Sequence, residues 1–363
     1  MPPVLIAHIV GARPQFVKAA AVSRAIRLQP NLEEWLIHTG QHFDPGMSQR
    51  FFDELGIPPA EPLKTVSSPA MEWSVAWATE ALCALFRARR PEAVVVHGDT
   101  LSTLAGARAA SQLGIPLAHV EAGLRSGNWE MPEEAIRVET DRLSRWLFVP
   151  HPSAAVQLEA EGLGGIRDQH IETVGDVMFD SLQWVLDNSA QHPVFPEPYA
   201  LVTLHRNTTL DVPERLHTML ESLIQFSETG SVPLRLVLHP RLRSMTSNST
   251  ALRRLLRDRA WRLLPPQGYP QMVSLTQRAD WVLTDSGGLQ KEAALLGKPL
   301  LILRNETEWT EWVAQGRARL VADRYEEMER AREYFSSHKL LPLPIPTGAA
   351  HRMAELLVRD LCP

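Results

Sequence analysis

A chain of 363 residues is too long for one hydrophobic core and points to two domains. With 44% hydrophobic residues, 22% charged residues and a net charge of -5, it has a soluble globular composition and nothing to draw nucleic acid. Its two cysteines, Cys83 and Cys362, lie far apart and exclude a disulfide framework, which fits a reducing cytoplasm, and no apolar run approaches the ~20 residues of a membrane helix.

The N-terminus lacks the basic start of a signal peptide and reads as a first strand. Val4 to Val10 is apolar apart from His8, as a central parallel strand requires. It ends at Gly11-Ala12-Arg13-Pro14-Gln15, and a helix is predicted from about Phe16. Leu36-Ile37-His38 reads as a strand ending at Thr39-Gly40-Gln41-His42, and Trp73 to Arg89 as a long helix. Val94 to His97 is the next strand, followed by Gly98-Asp99-Thr100 and a helix over Leu101 to Leu113, with Asp99 or Thr100 as its cap. Pro116 to Val120 ends at Glu121-Ala122-Gly123. An irregular loop, Asn128 to Met131, leads to a helix opened by Pro132, whose first turn holds Glu133 and Glu134 beside the positive end of the dipole. Trp146 to Val149 is a further strand. The alternation predicts a parallel, doubly wound sheet. Arg13, Asp99 and Glu121 then fall on its carboxyl edge, where ligands bind. Singly, each has a plain structural alternative: Arg13 as a loop residue, Asp99 as a cap, Glu121 as a partner of Arg125.

Prolines between Asp187 and Tyr199 mark a linker. Ala200 to Leu204 restarts the strand pattern and ends at His205-Arg206-Asn207. A helix over Arg215 to Phe226 leads to Leu234 to Leu238, which ends at His239-Pro240-Arg241. Trp281-Val282-Leu283 precedes Thr284-Asp285-Ser286-Gly287-Gly288-Leu289-Gln290, and Leu289, Ala293 and Leu296 mark one helix face until Gly297 and Pro299 stop it. Two glycines at a helix start let backbone amides approach a phosphate, although Ser286 as an ordinary cap would give the same local pattern. Leu340 to Pro346 is a connector, and Ala349 to Leu361 an amphipathic helix returning to the first domain. The expected architecture is α/β: two doubly wound Rossmann-like domains facing a central cleft, over residues 1–187 and 188–348, with 349–363 as the returning helix. No Asp-x-Asp and no Cys/His metal spacing occur.

Over nearly its whole length the chain resembles the non-hydrolysing UDP-N-acetylglucosamine 2-epimerases, which share the GT-B fold of two-domain glycosyltransferases. The resemblance rests on Gly11-Ala12-Arg13-Pro14, Gly40-Gln41-His42, His97-Gly98-Asp99-Thr100, His119 to Ser126, Met131-Pro132-Glu133-Glu134, Val174-Gly175-Asp176, His205-Arg206 and Thr284 to Gln290. It implies catalytic roles for Asp99, Glu121, Glu133 and His205. It implies diphosphate contacts from Arg13, His239, Ser286, Gly287 and Gly288, ribose binding by Glu292, and a uracil flanked by Tyr269 and Met272. Gln41, His42, Arg137 and Arg206 complete the implied substrate-binding set. The implied reaction inverts C2 of a UDP-N-acetylhexosamine, or of a related sugar such as a 2,3-diacetamido uronate, by eliminating UDP to a glycal and adding it back. The implied partners are the UDP-sugar and a second copy in a homodimer, with no cofactor, metal, nucleic acid or membrane. Four features depart from the family pattern: Gln15 for Glu, Ile136 for Asn, Asn207-Thr208-Thr209 after Arg206, and a shortened Pro346-Thr347-Gly348. A GT-B glycosyltransferase and an inactive sugar-nucleotide-binding protein are the alternatives.

Overall fold

In the computed structural model, residues 2–41, 51–63, 73–165, 168–188 and 195–362 are described. Thirteen strands lie among them: β1 (Val4–Val10), β2 (Leu32–His38), β3 (Glu61–Pro62), β4 (Ala93–His97), β5 (Leu117–Val120), β6 (Trp146–Val149), β7 (His170–Thr173), β8 (Ala200–Thr203), β9 (Leu234–Val237), β10 (Trp261–Leu264), β11 (Trp281–Thr284), β12 (Leu300–Ile302) and β13 (Ala318–Leu320). They form two sheets, ordered β3-β2-β1-β4-β5-β6-β7 and β10-β9-β8-β11-β12-β13. Every strand pairing is parallel. By contact the chain divides into two units, Met1–Val185 with Pro346–Pro363, and Leu186–Ile345.

The central strands are apolar throughout because both of their faces are covered. Successive side chains of a strand point to opposite faces. Thus Ala93 and Val95 of β4 join one buried cluster, and Val94 and Val96 join another. The first cluster is closed by Ala21, Val22 and Ile26 of helix Arg13–Arg27 and by Met353 and Leu357 of helix Ala349–Leu361. The second is closed by helices Val75–Arg89 and Leu101–Gln112. The second unit repeats the arrangement, with Val202 of β8 in one cluster and Leu201 in the other.

The returning helix is fixed to the first unit by more than its apolar face. Asp180 accepts hydrogen bonds from the backbone amides of Gly348 (2.5 Å) and Ala350 (2.8 Å), at the helix start. Arg352 Nε donates to the Val174 carbonyl at 2.8 Å, and Trp146 Nε1 donates to Asp360 at 2.8 Å.

Several element boundaries differ from the sequence reading. Helix Arg13–Arg27 starts three residues before Phe16, directly after Ala12. β2 begins at Leu32, before the apolar run, and takes in Glu34, whose carboxylate meets His8 Nδ1 (2.6 Å) and Ser23 Oγ (2.6 Å). Thr100, not Asp99, caps helix Leu101–Gln112, its hydroxyl accepting from the Thr103 amide. The edge strands β3, β7, β10 and β13 are short and partly polar, so no apolar run announces them.

Candidate active site

Both sheets contain the order 3-2-1-4-5-6, which places the topological switch point between β1 and β4 in one unit and between β8 and β11 in the other. Loops leaving the carboxyl ends of those strands border a ligand crevice.

In the first unit, Asp99 follows β4 and is paired with Arg137 of helix Pro132–Leu143. Glu121 follows β5 and is paired with Lys18 from the second turn of helix Arg13–Arg27. Glu121 has a φ of 71°, a left-handed conformation that costs a non-glycine residue of order 1–3 kcal/mol. Its amide and that of Ala122 both donate to the Phe148 carbonyl, at 3.1 Å, which holds the bend. Gly98 makes room for this pair. A Cβ there would stand 3.0 Å from Lys18 Nζ and 3.3 Å from Glu121 Oε2, on a backbone whose φ is 60°. The alternative pairing of Glu121 with Arg125 does not occur, since Arg125 bonds to Asp141 and Glu161.

The two glutamates after Pro132 do different work. Glu134 is buried and accepts from the Ser126 amide (2.9 Å), the Ser126 hydroxyl (2.8 Å), the Gly127 amide (3.1 Å) and Arg137 (3.1 Å). Burial alone would raise its carboxyl, but these donors outweigh it and hold the group below its usual range. The Glu133 side chain makes no hydrogen bond or ion pair among the described residues, and the residue is half-buried. Arg137 thus bridges Asp99 and Glu134, and against the effect of its burial these carboxylates strengthen its charge.

Gln41 is tethered to the start of helix Leu101–Gln112, its Oε1 accepting from the Ser102 amide (2.9 Å) and hydroxyl (2.7 Å). Arg13 opens its helix, but its side chain lies outside what is described, and so does the whole of His42. Gln15 is buried behind the edge. Its Oε1 accepts from the amides of Gly11 (2.9 Å) and Ala12 (3.0 Å), and its Nε2 donates to the His97 carbonyl (3.2 Å) and Thr103 (3.0 Å). Ile136 is buried on the inner face of its helix.

In the second unit, His205 follows β8, and its Nδ1 lies 2.6 Å from Asp285, which follows β11. Asp285 has no exposed surface and also accepts from the amides of His205 and Arg206. Burial pushes its carboxyl up, but the imidazole and the two amides outweigh that and hold it below the usual carboxylate range. His239 begins helix Pro240–Asn248, with its ring centroid 6.1 Å from that of His205. Ser286 stands at the cap position of helix Gly287–Leu295 but makes no capping bond with its side chain. The amides of Gly287, Gly288 and Leu289 form the first turn and have no acceptor within the helix. Tyr269 and Glu292, 23 positions apart, are brought together, the hydroxyl donating to Oε1 at 2.8 Å, and Met272 packs against the neighbouring core. Arg206 pairs with Glu308 at 3.0 Å.

Sequence reasoning missed Lys18, Glu134 and Asp285. Lys18 sits in the second turn of the helix that follows the Gly11 strand end, and that position was its only sequence signal.

Two parallel sheets of this order, each with polar and charged side chains at its switch point, define a two-domain α/β protein of the GT-B type. The family model described as UDP-N-acetylglucosamine 2-epimerase matches residues 24–342. The chain is 42% identical over 314 residues, 86% of each chain, to a UDP-2,3-diacetamido-2,3-dideoxy-D-glucuronate 2-epimerase of Pseudomonas aeruginosa. It is 35% identical over 341 residues, 91% of this chain and 92% of the other, to a UDP-N-acetylglucosamine 2-epimerase of Methanocaldococcus jannaschii. A crystal structure of the M. jannaschii UDP-GlcNAc 2-epimerase in complex with UDP-GlcNAc and UDP superposes with a TM-score of 0.85 at 31% identity, covering 99% of this chain and 100% of that one. The chain belongs to the UDP-N-acetylglucosamine 2-epimerase family, a family of isomerases.

Proposed function

We propose that this chain inverts C2 of a UDP-2-acetamido sugar. UDP-2,3-diacetamido-2,3-dideoxy-D-glucuronate is the first substrate to try, because the relative of that name is 42% identical. UDP-N-acetylglucosamine is the second. The observation that carries the reading is a pair of carboxylates at adjacent strand ends, Asp99 and Glu121, each with its own cation. A glycosyltransferase has no need of several carboxylates around C2.

The C2 proton is not acidic while the sugar is intact. It becomes removable as the C1–O bond to UDP breaks and C1 gains cationic character. A base takes the proton, UDP leaves, and a glycal remains. UDP then adds back at C1 while a proton is delivered to the other face of C2. Asp99, Glu121, Glu133 and His205 are the groups proposed for these transfers. General acid–base help supplies about 10²–10⁴-fold, and enzymes need about 10⁶-fold or more. The rest comes from stabilising the departing diphosphate, by Arg13, His239 and the Ser286-Gly287-Gly288 segment. Glu292 takes the ribose hydroxyls, Tyr269 and Met272 flank the uracil, and Gln41, His42, Arg137 and Arg206 are further substrate-binding residues in this reading. Two free cysteines fit a cytoplasmic location, and family resemblance suggests a homodimer. Among the described residues no helix is long and apolar enough to cross a membrane.

Incubating each UDP-sugar alone in D₂O tests the reading. The expected product is inverted at C2 and carries deuterium there, with traces of UDP and glycal. Sugar transfer only when an acceptor is added would favour the glycosyltransferase, and inverted product with its C2 hydrogen fully retained would exclude exchange of that proton with solvent through these groups, leaving only one shielded base that carries the same proton across both faces.

A further inference from the structure

The second unit holds a buried donor that its own fold leaves unused. Trp309 is 7% exposed, and its indole Nε1 has no hydrogen-bond partner among the described residues. Buried N–H groups are nearly always paired, so an exception asks for a reason.

The residue is held by Thr307, which bonds to helix Gly287–Leu295, and by that helix itself. The Trp309 amide donates to Thr307 Oγ1 at 3.1 Å, and that hydroxyl donates to Gln290 Oε1 at 2.6 Å. Lys291 Nζ sits over the indole face, 4.4 Å from the ring centre. Nε1 itself is 3.6 Å from the point where a Cβ on Gly287 would stand. The unpaired N–H therefore lies beside the first residue of the helix, where backbone amides also await an acceptor. The adjacent carboxylate does not use it. Glu308 is committed to Arg206 (3.0 Å) and Arg304 (2.6 Å), and two arginines against one carboxylate leave the surroundings cationic.

We propose that Trp309 is a ligand-binding residue whose indole N–H donates to an oxyanion of a nucleoside diphosphate seated at the start of helix Gly287–Leu295. This rests on the proposed function for the identity of the ligand. The pairing suits a diphosphate because an indole N–H can only donate and a phosphate oxygen at neutral pH can only accept. The fixed ring adds direction to an attraction that the helix end supplies without it. A Cβ at position 287 would stand 2.9 Å from Glu308 Oε1 and 3.6 Å from the indole Nε1, which gives that glycine a reason beyond its backbone.

The test uses the full chain and three measurements. UDP and inorganic pyrophosphate are titrated by calorimetry into the wild type and into W309F, which keeps an aromatic ring under Lys291 and removes the donor together with part of the indole's volume. The Trp309 indole N–H resonance is followed in both titrations. The melting temperature of each ligand-free protein is recorded. We expect W309F to bind UDP about tenfold or more weakly, and the wild-type resonance to move downfield with UDP and with pyrophosphate, the melts showing only that both free proteins are folded. Equal UDP affinity in the two proteins, or an indole resonance unmoved by either ligand, would each overturn the assignment. If W309F fails to fold, the wild-type resonance decides. A wild type that gives no epimerised product, yet whose indole resonance responds to pyrophosphate, would refute the proposed function and leave this assignment standing.

Discussion

Asp285 shows how much of a site can rest on one buried residue. It aims His205 and at the same time pins the backbone of His205 and Arg206. Asp285→Asn should cut turnover by about 10²-fold or more, because the imidazole loses its charged partner, while UDP affinity changes little. The carboxyl is held below its usual value in the folded chain. Its contribution to stability is therefore complete above the unfolded carboxylate pKa, about 4, and disappears as pH falls through the folded value. Thermal melts between about pH 5 and pH 2 should accordingly fall less steeply for the variant than for the wild type. Gln15 makes the complementary case. It departs from the glutamate usual in the family, yet its amide group is fully engaged, accepting two hydrogen bonds and donating two. A carboxylate could keep the first two and not the others. Gln15→Glu should lose about 1–3 kcal/mol at neutral pH, recovering in part as acid protonates the new carboxyl, and urea melts at two pH values will show it. At this scale the sequence exposed chemistry that follows a strand end. Asp99 and Glu121 sit directly after apolar runs, and their position is their signal. Lys18 and Glu134 act through contacts across 103 and 8 positions respectively, and no local pattern encodes the first.

Strands β1, β4, β8 and β11 were readable because parallel sheets bury both faces of their central strands, which makes them continuous apolar runs. The four edge strands have partners on one side only, tolerate polar residues, and passed unnoticed. The Ser286 turn was readable as strand, glycines and helix. What could not be read was which acceptor its first amides await, since an ordinary cap and a phosphate seat use the same residues. The returning helix was visible from its period, but not the bonds that fasten it. Leu357 is fully buried against the first unit's sheet. Leu357→Ala should cost about 2–5 kcal/mol, as urea denaturation would report, and leave UDP affinity unchanged because the proposed diphosphate residues of the second unit are untouched. A loss of UDP affinity equal to that of a seat variant would mean that the two units are not independent in this respect.

For the molecule as a whole, family membership follows from matches spread along the chain, and the order of chain segments follows from the division into units. The chain leaves the first unit at Val185, builds the second through Ile345, and returns at Pro346. The second unit is therefore an insertion, and the last piece of the first unit's core is made after it. On a ribosome, Ile6, Val22, Ile26, Trp146 and Phe148 must wait for Met353 and Leu357, with an apolar face open for as long as the inserted unit takes to be synthesised. Domains generally fold in the order in which they are made. Here the later one has all its residues first, so the expected birth order is reversed. Limited proteolysis of a released chain truncated just before Gly348 should find the strands of Leu186–Ile345 protected and those of the first unit cut. First-unit strands already resistant at that length would show that the sheet closes without its last helix. The open face is also where a chaperone would find this chain, and the window for finding it closes when the returning helix docks.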